Sequence, residues 1–253
     1  MDLAEIPLCS PAEFLAWDEA LLAEAESGGG EFLWFWESPV PFVVVGYGQT
    51  ISREVNLPSC QEQGVPVLRR CSGGGTVVQG PGCLNYGVAL RWDSRPPLQT
   101  VTGTNRWIMV RQAVALNRLA GGTVVIRGHT DLALIESSFE RKFSGNAQRR
   151  TRRALLFHGT ILYGMNLDLV GQLLPLPQDR PQYRGSRSHA DFITNLPVSP
   201  ESIRAALMEE WRVSQKAYGL PFDRHRHALL EHYLEEDWHQ RRRTNHNPIS
   251  ASN

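Results

Sequence analysis

The apolar positions of this chain change period from helix to strand and back. From Pro11 to Glu26 the residues Phe14, Leu15, Leu21 and Leu22 recur at helical spacing, with Ser10 at the N-cap and Glu13 at capping-box distance. Gly28-Gly-Gly30 stops that helix. Phe32 to Trp36 and Phe42 to Val45 read as strands around a turn at Ser38-Pro39, with Trp34, Phe35 and Trp36 as core aromatics. A helical turn at Cys60–Gln63 precedes strands at Val65–Leu68, Thr76–Gln79 and Leu84–Arg91. Thr104 to Leu119 predicts a second long helix, with Trp107, Ile108, Val114 and Leu119 facing inward. Between Thr123 and Tyr163 the period falls to two, giving strands at Val124–Ile126, Leu132–Ile135, Lys142–Gln148 and Leu155–Tyr163. A short helix after Leu167 and a Pro-rich loop, Leu174–Arg187, follow. Helices at Ser199–Tyr218, with Pro200 at the first turn, and Arg224–Trp238 close the pattern, leaving a polar tail from Arg241 to Asn253. Helices bracketing hairpin-like strands predict an α+β class, a mixed and largely antiparallel sheet covered by helices. No repeat or linker divides residues 1–240.

Composition narrows the function. The 253 residues are 42% hydrophobic with 26 basic and 26 acidic side chains, so net charge gives no reason to expect a nucleic-acid partner. The N-terminus lacks a signal-peptide pattern, and no apolar run reaches membrane length. Cys9, Cys60, Cys71 and Cys83 contain no C-x-x-C pair, which predicts free thiols in a reducing, cytoplasmic setting and no zinc site. Arginine supplies 24 of the basic residues, and Lys142 and Lys216 are the only lysines. In so arginine-rich a chain a lysine draws scrutiny, because a compact ammonium on a flexible stem delivers a point charge where a planar guanidinium does not fit.

Two stretches carry the candidate chemistry. In Leu68-Arg-Arg-Cys-Ser-Gly-Gly-Gly-Thr-Val-Val78, three bare glycines follow Arg69 and Arg70. Backbone N–H groups and guanidinium groups together suit a phosphate or carboxylate, although glycines that merely permit a hairpin bend would look alike. The pattern is neither a P-loop nor a dinucleotide fingerprint. In Arg141-Lys-Phe-Ser-Gly-Asn-Ala-Gln-Arg-Arg150, Lys142 lies beside Ser144 and Gly145, small neighbours that leave room for a ligand near an ammonium. Asp131 reads as a turn aspartate or a ligand residue, and His158 within an apolar strand as a satisfied core histidine. Arg149, Arg150, Arg152 and Arg153 form a basic cluster, either a solvated hairpin tip or a face for an acidic partner.

Together these stretches resemble the lipoate–protein ligase A family, which belongs with biotin ligases and octanoyltransferases. Arg69-Arg-Cys-Ser-Gly-Gly-Gly-Thr-Val77, Leu84-Asn85, Lys142-Phe-Ser-Gly-Asn-Ala147 and His158-Gly-Thr160 match its ordered blocks. Val43-Val-Val-Gly-Tyr-Gly-Gln49 with Glu54-Val-Asn56 upstream, and Ser186-Arg187 with Thr194-Asn195-Leu196 downstream, extend the likeness from about Phe14 to Leu196. The resemblance implies an α+β catalytic domain that uses ATP and magnesium to convert lipoate to lipoyl-AMP. It would then lipoylate a lysine of a carrier domain, in an oxo-acid dehydrogenase E2 subunit or the glycine-cleavage H protein. By the same resemblance Arg70, Gly75, Thr76, Val77 and Val78 contact the nucleotide, and Lys142 contacts both the lipoyl carbonyl and the α-phosphate. Ser72, Gly73, Gly74, Asn85, Ser144, Gly145, His158, Gly159 and Thr160 complete the adenylate site, and Asp131 is an adenylate or metal ligand.

Three departures stand out. Gln79-Gly80 replaces the family's His-Asp, Cys83 replaces an asparagine, and the chain ends soon after Trp238, where many relatives continue into an accessory domain. A separate accessory subunit is therefore one expectation. An octanoyltransferase would need a cysteine thioester; Gly128–Leu134 contains no cysteine, which leaves Cys71 and Cys83 beside the glycine turn. A non-catalytic lipoate- or carrier-binding module is the third reading, against which the retained Lys142 argues.

Overall fold

The computed structural model describes residues 1–93, 95–217 and 229–240. Eleven named strands form two sheets. The larger has eight strands in the order β11-β1-β2-β6-β10-β9-β8-β7. They are β1 (Asp2–Glu5), β2 (Phe32–Trp36), β6 (Cys83–Arg91), β7 (Thr123–Arg127), β8 (Asp131–Glu136), β9 (Phe139–Arg150), β10 (Ala154–Leu162) and β11 (Gln215–Lys216). Within this sheet, among the described residues, the strand pairings of β1, with β2 and with β11, are parallel and the rest antiparallel. The smaller sheet has the order β4-β3-β5, built from β3 (Phe42–Val45), β4 (Val67–Arg69) and β5 (Val77–Gln79). This is the α+β class with a mixed, mostly antiparallel sheet.

Both faces of the large sheet are covered, which explains why β2 is apolar throughout. Leu33 and Phe35 join one core cluster with Ile108, Met109 and Leu116 of α4 (Val101–Asn117) and Ile203 and Leu207 of α7 (Pro200–Glu210). Phe32, Trp34 and Trp36 join another with Phe14, Leu15, Leu21 and Leu22 of α1 (Pro11–Ser27). Alternate side chains of one strand thus feed two layers. A third cluster packs the small sheet against α2 (Ile51–Glu54), α3 (Leu57–Glu62) and α5 (Asp168–Leu173).

Several elements differ from the sequence expectation. The α4 helix begins at Val101 because Thr100 caps it by accepting from the Gly103 amide. Its Val114 is 48% exposed, while Ala115 and Leu116 beside it are buried. The helix expected to reach Tyr218 ends at Glu210; Arg212 then turns left-handed (φ 51°), and the chain continues into β11. Of the helix expected over 224–238, residues 224–228 lie outside the described residues; 229–234 are helical and a further helix runs Glu236–Gln240. The expected tail also lies outside them. No helix among the described residues is long and apolar enough to cross a membrane.

Candidate active site

Strand β3 pairs parallel to β4 and antiparallel to β5, so the connection from β4 to β5 must pass over the end of β3. That connection is the glycine turn. It crosses the backbone at Gly46 so closely that a Cβ there would lie 2.0 Å from Gly74 O. Gly74 itself is left-handed at φ +88°. The adjacent arginines have opposite orientations and separate tasks. Arg69, fully buried, donates through Nη1 to the carbonyls of Gly46 (3.0 Å) and Gln49 (2.8 Å) and through Nη2 to that of His239 (2.9 Å). It is an internal brace and does not belong to the anion cradle expected of it. Arg70 faces the site. Its Nε donates to Ser72 Oγ (2.9 Å) and its Nη2 to the carbonyls of Gly73 (2.5 Å) and Gly75 (2.9 Å). Burial lowers its pKa to about 10, with the charges of Cys71 and Asp18 opposing the shift, so it remains a cation near neutrality. With these carbonyls engaged by Arg70, the amides of residues 73–76 have no acceptor among the described residues.

Lys142 reaches the same place through a bulge. On β8, Leu132 faces Ser144 of β9 but Ala133 faces Lys142, so Phe143 is an extra residue. In a regular strand, positions 142 and 145 would point to opposite faces. The extra residue puts Lys142 on the side of Ala133, Asp131 and Gly145, while Phe143 enters the apolar cluster under the sheet at 0% exposure. Lys142 Nζ then pairs with Asp131 Oδ1 at 2.7 Å, and Tyr183 Oη donates to Asp131 Oδ2 at 2.7 Å. Burial pushes the Tyr183 phenol well up, and the Asp131 charge adds to this, so it stays a donor.

Two adjoining cavities open here, of about 220 Å³ and 380 Å³. Gly74, Gly75, Thr76, Val77, Asp131, Lys142, Gly145 and Thr160 line both. Arg70, Asn85, His158 and Gly159 line the smaller, with Leu15, Trp36 and Val44 giving it apolar walls. Val78 and Ser144 line the larger, with Arg184, His189 and Phe192. Ser72 and Gly73 line neither; Ser72 is buried behind His158. The Thr76 hydroxyl oxygen is buried with no partner among the described residues, as a group held ready for a ligand would be. The arrangement can receive an apolar chain with an anionic head at the ammonium and a larger polar group beyond it.

Sequence reasoning missed Asp18, which is 2% exposed on α1 and lines the smaller cavity. Its Oδ2 is 2.6 Å from His158 Nδ1, and its Oδ1 accepts from Trp34 Nε1 (2.8 Å) and Trp36 Nε1 (3.4 Å). His158 Nε2 is 2.5 Å from Ser72 Oγ, so this histidine is a satisfied core residue that also faces the cavity. A lone acid on the helix face bearing Leu15 and Leu22 was the available signal. Tyr183 and Arg184 were hidden in the Pro-rich loop. Of the arginine cluster, Arg149 donates to Cys71 O (2.9 Å) and Arg150 to Thr104 Oγ1 (3.0 Å) and Leu98 O (2.8 Å), so half of the expected solvated tip is structural. Lys216, the other lysine, pairs with Glu5 at the surface, far along the sheet at β11.

Residues 10–211 match the family described as Lipoyl protein ligase A/B catalytic domain. A lipoate-protein ligase A candidate of Aeropyrum pernix is 30% identical over 206 residues, 81% of this chain and 72% of that protein. The lipoate-protein ligase LplJ of Bacillus subtilis is 29% identical over 156 residues, 62% of this chain but only 44% of that longer protein. Among solved structures, the bi-partite lipoate protein ligase of Thermoplasma acidophilum, described with its E2 lipoyl domain, aligns with TM-score 0.79 at 24% identity, covering 94% of this chain and 95% of that one. A lipoate-protein ligase A bound with ATP aligns with TM-score 0.78 at 23% identity, covering 94% and 98%. At these identities the structural likeness shows the fold.

Proposed function

The chain belongs to the lipoyl protein ligase A/B catalytic domain family, and from that premise we propose that it activates lipoate with ATP and transfers the lipoyl group to a lysine of a carrier domain. The observation that carries the reading is that Lys142 and the glycine turn line the same two cavities. In the first step a lipoate carboxylate oxygen attacks the α-phosphorus of ATP, forming the mixed anhydride and releasing pyrophosphate. Two anions must approach, and the Lys142 ammonium with the amides of 73–76 offsets their repulsion in a site partly shielded from water. In the second step the carrier lysine amine attacks the lipoyl carbonyl, the amide forms, AMP leaves and the amine loses its proton. Neither step needs a nucleophilic side chain on the enzyme. The smaller cavity takes the acyl chain against Leu15, Trp36 and Val44, and the larger takes the nucleotide.

Magnesium fits this site as a partner of the nucleotide. Asp131 offers one carboxylate, and no cluster of three or more His, Cys, Asp or Glu side chains suited to a metal occurs among the described residues. A hard cation held by one carboxylate, with phosphates and waters completing its shell, is usual magnesium chemistry and would neutralise phosphate charge. Asp131 Oδ1 pairs with Lys142 and Oδ2 accepts from Tyr183, so a cation sharing this carboxylate would compete with the ammonium for its charge.

The cysteines favour the ligase over a thioester transferase. Cys71 is 3% exposed and Cys83 0%, and neither lines either of the two site cavities. Burial raises both thiols far above their usual range, reinforced at Cys71 by the charge of Glu19 and at Cys83 by that of Glu37. The bi-partite organisation of the Thermoplasma ligase supports a second polypeptide as helper in adenylation. The test is incubation with ATP, magnesium, lipoate and an apo carrier domain, with and without a candidate helper, read by intact mass. We expect a carrier heavier by one lipoyl group. Absence of both that gain and lipoyl-AMP, with the helper present, would leave a binding module as the better account. Octanoate should also react, since an apolar pocket discriminates by only about 1–3 kcal/mol per methylene.

A further inference from the structure

We propose that Asp18 is a positioning residue of this site, acting through His158 and Ser72 on Arg70 and, through Arg70, on the glycine turn. Four side chains from three parts of the fold form one line: Asp18 on α1, His158 on β10, and Ser72 and Arg70 at the turn. All four are at least nine-tenths buried. Their contacts are 2.6 Å (Asp18 Oδ2 to His158 Nδ1), 2.5 Å (His158 Nε2 to Ser72 Oγ) and 2.9 Å (Arg70 Nε to Ser72 Oγ).

Hydrogen inventory fixes the direction of the line. Arg70 Nε can only donate, so Ser72 Oγ accepts there. Asp18 already accepts from two tryptophans, which suits a carboxylate anion, so His158 Nδ1 carries a hydrogen toward it. If Nε2 also carried a hydrogen, Ser72 would accept twice and its own hydrogen would have no acceptor among the described residues. With a neutral ring, Ser72 donates to Nε2 and every hydrogen has a partner. The line therefore runs one way, from the Arg70 cation through Ser72 and His158 to the Asp18 anion. Each link polarises the next, and the two buried charges balance without touching. Arg70 is held in place by this line, and its other nitrogen holds the carbonyls of Gly73 and Gly75. The orientation of amides 73–76 thus depends on a carboxylate on a different element. No hydrolase follows from the Asp–His–Ser order, since Ser72 is 1% exposed and lines neither site cavity. The consequence for adenylate binding rests on the ligase reading; the positioning of the turn does not.

The primary test is the ring state of His158, read by two-bond proton–nitrogen NMR on protein with labelled histidine and assigned with His158→Gln. The expected state at neutral pH is the neutral ring with hydrogen on Nδ1; an Nε2–H ring or an imidazolium overturns the proposal without any variant having to fold. Asp18→Asn presents an amide hydrogen to the ring and should reverse it to the Nε2–H form. Backbone nitrogen order parameters at residues 73–76 should then fall from about 0.85, the rigid range, toward about 0.6. Unchanged order parameters in a folded variant would sink it. A non-reactive lipoyl-adenylate analogue should bind Asp18→Asn about tenfold more weakly than the unsubstituted protein. In a Ser72→Ala background, which cuts the line, Asp18→Asn should add nothing; an equal loss there would mean that Asp18 acts by packing. An unsubstituted protein that fails to bind the analogue yet shows the predicted ring state, with the turn loosened in Asp18→Asn, would refute the ligase reading and uphold the line.

Discussion

A methyl group added at position 145 would sit 2.9 Å from Lys142 Nζ and 3.0 Å from its Cε. Gly145→Ala should therefore displace the ammonium while leaving β9 paired, and lower the rate of lipoyl-AMP formation by about tenfold or more at an unchanged melting temperature. Lys142→Ala should abolish transfer in a folded protein. Lys142→Arg should recover little, because a guanidinium is bulkier and already has Asp131 as a fitting partner. Steady-state kinetics with circular dichroism as the folding check distinguishes these outcomes, and a fully active Lys142→Ala would remove the assigned role. Cys71→Ser and Cys83→Ser should retain transfer, and loss of all transfer in either would restore the thioester route. Single letters conveyed this much of the site because glycine and a scarce lysine are informative without neighbours. They did not tell Arg69 from Arg70, since which of two adjacent residues faces a ligand depends on the pairing of β4. Nor did they mark Asp18, whose importance lies in a contact 140 residues away, at His158.

Helix ends were legible where a local hydrogen bond sets them. Ser10 and Glu13 form the reciprocal cap that their spacing predicts, and Gly28 ends α1 in the left-handed region at φ 95°. Ser10→Ala should cost about 1 kcal/mol, measurable by urea unfolding. Elements set by distant partners were not legible. Strand β1 has four residues and exists through its parallel pairing with β2, and α7 stops without a glycine or proline. The Glu236–Gln240 helix is held by Arg69. His239 Nδ1 accepts from the Arg69 amide (3.0 Å) and its Nε2 donates to Tyr233 O (2.8 Å), which requires a neutral ring. Burial lowers the pKa of His239 below the ordinary 6.5; the bond to Tyr233 and Glu236 oppose this, while Arg69 and His232 reinforce it. The unfolded chain thus binds this proton more readily than the folded one. The ring's contribution to stability is intact above 6.5 and is lost as pH falls below that value toward the folded pKa. Melting temperature should drop between pH 7.5 and 5.5, and less so in His239→Gln; equal slopes would remove His239 as the cause.

Across the whole molecule, the sheet separates two apolar layers, and the site lies on the α1 side, among small residues of β6, β9 and β10. Gly87 shows how tightly that side is filled: a Cβ there would lie 2.2 Å from Trp34 Cζ2. Gly87→Val should cost about 3 kcal/mol or more, seen as a lower urea midpoint. The class and most central strands were legible because both layers leave apolar runs; the order of the strands was not, since pairing between residues far apart leaves no local mark. The unpaired Phe143 has one more consequence. Counting along β9, the distance from ammonium to glycine is odd, and an alternating strand would have turned the charge toward oil. A chain lacking that one phenylalanine would alternate regularly, and the now even count would still set the cation on the glycine's face. Excising Phe143 should therefore empty a place in the layer beneath while the charge keeps its aim, so that the urea midpoint falls further than the rate does.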